Sequence, residues 1–148
     1  MTKFRIIAAA LGASIVFAAP VPLQAEMAHV LEDGLYEVSV SLDMGAMEDL
    51  NARKRVQICV GTGEGRSRGL FLLSGNIQLA HCPVTNLQEA GAALSFDIIC
   101  EGINAGRASA TYTLEPHAFE GRLAIRMGGK NMTMRESQSG RRIGDCPR

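Results

Sequence analysis

The chain has 148 residues, 15 basic against 15 acidic, 47% hydrophobic residues and four cysteines. That length holds one ordinary domain with a single core, and the balanced charge gives no electrostatic footprint for nucleic acid. Beyond the N-terminal segment no apolar stretch approaches the length of a membrane-spanning helix.

The N-terminus begins with Lys3 and Arg5, continues through an uncharged apolar run over residues 6–19, and reaches Pro20, Pro22 and Ala25. An apolar run of about 14 residues is too short to cross a bilayer as a helix. Basic, apolar and small-residue regions follow one another in the order of a cleavable secretory signal. Residues 1–25 are therefore read as a signal peptide, with Leu23 larger than the usual residue three positions before the cut, and residues 26–148 as one domain. Loss of Lys3 and Arg5 lowers the basic count from 15 to 13 against 15 acidic, a net charge of about −2. Export to the periplasm places Cys59, Cys82, Cys100 and Cys146 in an oxidising compartment, where an even count reads as two disulfides.

Along the mature part the dominant signal is period-2 alternation between turn residues. Tyr36, Val38, Val40 and Leu42 alternate with Glu37, Ser39, Ser41 and Asp43, and Val56, Ile58 and Val60 alternate with polar neighbours. Residues 44–52 read as a loop with at most a helical turn. Residues 61–76 form a polar, glycine-punctuated loop with one short helical turn at 70–73. They lack the lysine, hydroxyl and strand-loop-helix setting of a phosphate cradle.

From Cys82 onward the strand register follows from arithmetic, because residues opposite each other in an antiparallel hairpin have a constant sum and share a face. A two-residue turn at Gly128-Gly129 sets Met127 against Lys130, Ile125 against Met132 and Leu123 against Met134. The turn carrying Pro116 pairs Leu114 with Phe119, Ala110 with Leu123 and Tyr112 with Gly121, where the bare glycine lets the ring lie over the neighbouring strand. The turn around Asn104 sets Ile98 against Ala110 and Phe96 against Tyr112. The turn around Gly91 sets Val84 against Ile98 and Cys82 against Cys100. Strands over about 82–88, 93–101, 106–114, 119–127 and 130–137 make a meander. With the two early strands, the fold class is all-β: a curled antiparallel meander of about seven strands, barrel-like or sandwich. The register brings Cys82 and Cys100 within disulfide reach, which leaves Cys59 for Cys146.

The tail from Gly128 to Cys146, which includes Met132-Thr133-Met134-Arg135-Glu136-Ser137-Gln138-Ser139-Gly140-Arg141-Arg142, resembles the C-terminal signature of a family of exported bacterial proteins of unknown function, DUF3617. Gly34-Leu35-Tyr36-Glu37-Val38 is similar to that family's opening strand, with tyrosine in place of tryptophan. Cys59-Val60, and the Cys82 and Cys100 pair followed by Glu101-Gly102, resemble its cysteine positions. The resemblance covers residues 34–146 and implies a small periplasmic β domain. It brings no activity, ligand or functional residue.

No catalytic constellation emerges. There is no nucleophile elbow; His29, His81 and His117 pair with no nucleophile; and Glu32-Asp33 and Glu48-Asp49 read as solvated loop charge. Zinc at His81, Cys82 and Cys100 competes with the disulfide. The chain is read as a non-enzyme with no cofactor. The first functional reading is a binding module for a small hydrophobic ligand, held on the concave face by Tyr36, Phe96, Ile98, Tyr112, Leu123 and Ile125. The alternative is a structural or protein-interaction component of the cell envelope. A distant alternative is Cu(I) bound by thioethers, with Met132, Met134, Met44 and Met47 as the best of six mature methionines, although the first two point to the core. Arg135, Arg141 and Arg142 around Ser137-Gln138-Ser139-Gly140 read as a solvated strand edge able to meet an anionic surface. The sequon at Asn131-Met132-Thr133 is discounted as lying within a strand of a bacterial protein.

Overall fold

Alternating hydropathy becomes alternating burial. A computed structural model of the chain describes residues 30–45, 52–61, 69–74, 78–102, 105–128 and 132–148; the segment read as a signal peptide lies outside them. The described residues form seven strands: β1 (Gly34–Asp43), β2 (Ala52–Val60), β3 (Val84–Ala90), β4 (Ala93–Cys100), β5 (Gly106–Glu115), β6 (Ala118–Met127) and β7 (Met132–Gly144). All pair antiparallel in one sheet of order β2-β1-β7-β6-β5-β4-β3. β3 to β7 are the expected meander, and β1 enters between β2 and β7. The two ends of the order do not pair, so the sheet is open.

The long connection between β2 and β3 joins the two sheet edges and therefore has to cross the sheet. It places Leu70, Leu72, Leu73 and Leu79 in the same core as Tyr36, Val38, Leu94, Phe96, Ile98, Leu114, Phe119, Leu123 and Ile125. This is how a single-layer sheet buries its apolar face here: the crossover supplies the second layer. Residues 70–74 do so without regular secondary structure, in place of the helical turn expected at 70–73.

The Leu114–Phe119 and Tyr112–Gly121 pairings hold as read, as does Val84–Ile98, and both disulfides form as assigned, Cys82–Cys100 and Cys59–Cys146. Two registers differ. On β6–β7, Met127 faces Met132, Ile125 faces Met134 and Leu123 faces Glu136. The slip is two residues because Gly128 leaves the ladder and packs directly on the backbone of Ala105, with no room for a side chain. On β4–β5, Phe96 faces Ala110, Ile98 faces Ala108 and Leu94 faces Tyr112. There Gly102, at φ +100°, closes the turn with an Ala105 N–H donating to its carbonyl at 3.0 Å, ahead of Asn104. A two-residue slip preserves the face of every side chain, so the division into inward and outward residues survives.

The larger correction concerns the tail. β7 runs to Gly144 and lies between β1 and β6, so the stretch read as a solvated edge is central to the sheet. The true edges are β2, which carries Arg53, Lys54 and Arg55, and β3, whose ladder is broken by a bulge between Thr85 and Gln88 with Asn86 at φ 52°. Charge and bulge are both devices that discourage edge-to-edge pairing.

Candidate binding surface

The inward face holds the residues read as ligand-binding. Tyr36, Phe96, Ile98, Tyr112, Leu123 and Ile125 come together, each at 3% exposure or less. Their rings pack on one another: Phe96 stacks on Tyr112 at 5.7 Å between centroids, and Phe119 bridges Tyr112 and Tyr36 at 5.8 and 5.7 Å. Tyr36 also donates its hydroxyl to the Glu32 carbonyl at 2.7 Å, tying the entry to β1 beside the β5–β6 turn. Among the described residues this face is occupied by its own side chains and covered by the crossover.

One polar network lies inside it. Glu136, 1% exposed, accepts hydrogen bonds from the Leu73 and Ser74 backbone N–H groups at 2.8 and 3.0 Å and from Gln138 Nε2 at 2.7 Å. Gln138 Nε2 also donates to the Phe71 carbonyl at 2.9 Å, while Gln138 Oε1 accepts from the Tyr112 hydroxyl at 2.9 Å. Burial, and then the nearby Glu136 carboxylate, push the Tyr112 phenol upward against the pull of the Gln138 hydrogen bond. The network fixes the crossover to the sheet, since the buried Leu73 N–H would otherwise be left unpaired. The parity that puts Met132 and Met134 inward puts Glu136 and Gln138 inward as well, so the signal was present in the sequence. A solvated-edge reading of the tail obscured it.

The methionine candidates separate. Met134 is buried against Ile125, Met132 is half-buried opposite Met127, and Met44 is half-buried just beyond β1; Met27 and Met47 lie outside the described residues, as do His29, Glu48, Asp49 and Asn131. His81 has lost Cys82 and Cys100 to the disulfide, and His117 Nδ1 sits 3.4 Å from Glu32 Oε2 at an exposed turn. The described residues contain no cluster of three or more His, Cys, Asp or Glu side chains placed to hold a metal ion.

The outward face is open and polar. Across its centre, hydrogen-bonded neighbours place Arg53 beside Ser41, Ser41 beside Ser137, Ser137 beside Arg122 and Arg122 beside Thr111. The next row places Arg55 beside Ser39, Ser39 beside Ser139 and Ser139 beside Glu120. Small serines on β1 and β7 thus form a floor between the long side chains of β2 and β6. The result is a trough of about 680 Å³ lined by Ser39, Ser41, Ser137, Ser139, Arg53 and Arg122 among others. A smaller hollow of about 450 Å³, with Arg107, Arg126, Arg135 and Asp43 on its wall, lies further along the same face. Beside it Asp97 accepts from Asn86 Nδ2 and Ser109 Oγ, both at 2.8 Å. The Asn86 hydrogen bond first, then Ser109, hold its carboxyl below the ordinary range.

No curated protein and no solved structure matches the chain. The model of one family, described as a protein of unknown function (DUF3617), matches residues 31–146, which span the whole sheet and both disulfides, and the chain belongs to that family.

Proposed function

We propose that the protein is an exported, non-catalytic binding domain of the cell envelope whose working surface is the outward face of its sheet. The observation that carries this reading is the contrast between the two faces. The inward face is filled by packed rings and leucines and pinned shut by Glu136 and Gln138. The outward face offers a broad trough with hydroxyl and guanidinium groups free to engage a partner. Two disulfides suit an oxidising compartment, and no helix among the described residues is long and apolar enough to cross a membrane. A small hydrophobic ligand on the inward face would have to displace buried side chains that already pack on one another, at a cost of cavity-scale rearrangement.

Native mass spectrometry of the protein isolated from the periplasm tests the reading. The expected species begins at residue 26, is four hydrogens lighter than the reduced chain and retains no stoichiometric apolar molecule. A retained lipid-like mass that protects inward-face amides from exchange would overturn the outward-face reading in favour of a ligand in the core.

A further inference from the structure

The central row of the outward face is chemically uniform in a way the neighbouring rows are not. Arg53, Ser41, Ser137, Arg122, Thr111 and Ser95 stand side by side, one from each of six consecutive strands, and Gln88 on β3 completes the row. It contains no acidic and no apolar side chain. The flanking rows do contain acids: Glu120 beside Ser139 on one side, and Asp43 beside Arg135 on the other. Strand neighbours are about 4.8 Å apart, so the row runs roughly 29 Å across the sheet, with its two guanidinium groups on strands about 14 Å apart. The ion pairs among the described residues use Arg55, His117 and Arg142 and leave Arg53 and Arg122 uncommitted.

What could lie along such a row is constrained by what the face lacks. The Tyr36, Tyr112, Phe96 and Phe119 rings are all inward and buried, so nothing on the row offers the stacking platform on which single-stranded nucleic acid binding depends. A protein partner would look for a desolvated apolar or aromatic anchor. The large hydrophobic side chains exposed among the described residues are Leu87, Ile99 and Ile143, none on the row. What the row offers is hydroxyls, which donate and accept, and guanidinium forks, which fit carboxylates in a bidentate way. These are complementary to a chain that is itself hydroxylated and carries carboxylates at intervals.

We propose that the row Arg53–Ser41–Ser137–Arg122–Thr111–Ser95 is a binding track for an acidic polysaccharide lying across the strands. The uronate carboxylates sit on Arg53 and Arg122, and the sugar hydroxyls sit on the serine and threonine floor between and beyond them. This rests on the outward-face reading above and names its ligand class.

The test is an NMR titration of the full mature protein with a galacturonic acid hexamer. Its fully methyl-esterified twin and a hexaglutamate peptide serve as comparisons. The acidic hexamer should shift amides of Ser41, Ser137, Arg122 and Thr111 and saturate, while the neutral twin should not. Arg53→Gln/Arg122→Gln should weaken the hexamer about tenfold, the scale expected for losing two exposed charge-assisted contacts. Ser41→Ala/Ser137→Ala should weaken it less. Arg107→Gln/Arg126→Gln, which removes the same charge from the other hollow, should leave it unchanged and serves as the control for net charge and folding. The track is refuted if the hexamer does not bind, if both arginine pairs matter equally, or if hexaglutamate binds as tightly. In that last case the outward face still binds but its ligand is an acidic peptide, so this proposal fails while the broader reading stands.

Discussion

Glu136 is the residue on which the attachment of the crossover turns. Its carboxylate is acceptor-only towards Leu73, Ser74 and Gln138, whereas an amide at the same place must point its NH2 group at one of those donors. Glu136→Gln should therefore cost about 1–3 kcal/mol, the range for a buried polar group left without its partner. It should also speed hydrogen exchange at the Ser74 amide, because the remaining oxygen keeps the Leu73 and Gln138 donors that share Oε1 while the NH2 takes the place of the Oε2 that Ser74 uses. Urea unfolding and exchange NMR read the two effects, and wild-type exchange at Ser74 would mean the crossover is held by its leucines alone. Asp97 makes a second, pH-dependent case. Its folded-state value lies below the ordinary 3.8, chiefly through Asn86. The stabilisation is therefore present above the unfolded value and is lost as pH falls through the folded one. Asn86→Gly keeps the positive φ of 52° accessible while deleting the donor, and should raise the Asp97 midpoint in a carboxyl 13C titration. An unmoved midpoint would assign the depression to Ser109 and Arg107.

Strands are where the sequence was most legible, and β7 shows both why and where legibility ended. Alternation sorted side chains between faces correctly, because parity is insensitive to an even slip. The two wrong registers arose at turns, where Gly128 packs on Ala105 and Gly102 closes early. The first is a tertiary contact and the second a local turn, and neither leaves a mark on strand alternation. The central place of β7 was hidden for a related reason: its outward serines and arginines look like an edge to any reading that ignores which strand lies next to it. The serine floor of the trough became visible only once β1 had been placed between β2 and β7. Glycine positions on β7 separate the roles of the strand. At Gly140 a Cβ would run into the Phe119 ring, as at Gly121 it would run into Tyr112, whereas at Gly144 there is open space. Gly140→Ala should displace the ring and cost about 1–3 kcal/mol. Gly144→Ala should be neutral or slightly stabilising, since it narrows the unfolded ensemble without a clash. Thermal melts of the pair decide this, and equal behaviour would mean that Phe119 has room to move aside.

At the scale of the molecule, an open sheet with one covered face relies on what holds its two ends. The bridges divide that task unequally. Cys82–Cys100 joins the approach to β3 to the end of β4, neighbours already paired, and spans 18 residues of sequence. Cys59–Cys146 spans 87 and reaches from β2, across β1, to the segment after β7, so it clamps β1 between its two partners and secures the edge opposite the meander. In the chain-entropy model the longer closure contributes about 4.6 kcal/mol and the shorter about 3.2 kcal/mol, both upper figures. Either is a large share of the 5–15 kcal/mol typical of a whole domain. Cys59→Ala/Cys146→Ala should lower the urea midpoint more than Cys82→Ala/Cys100→Ala. It should also raise exchange in β1 and β2 selectively, because the meander of β3 to β7 keeps its own ladder. The trough is built from β2, β1, β7 and β6, so the same variant should loosen Arg53 relative to Arg122 and weaken anything that needs both. If the two double variants lose equal stability with exchange rising uniformly, the sheet unfolds as one cooperative unit. The long bridge would then act only on the unfolded chain and not on the edge it spans.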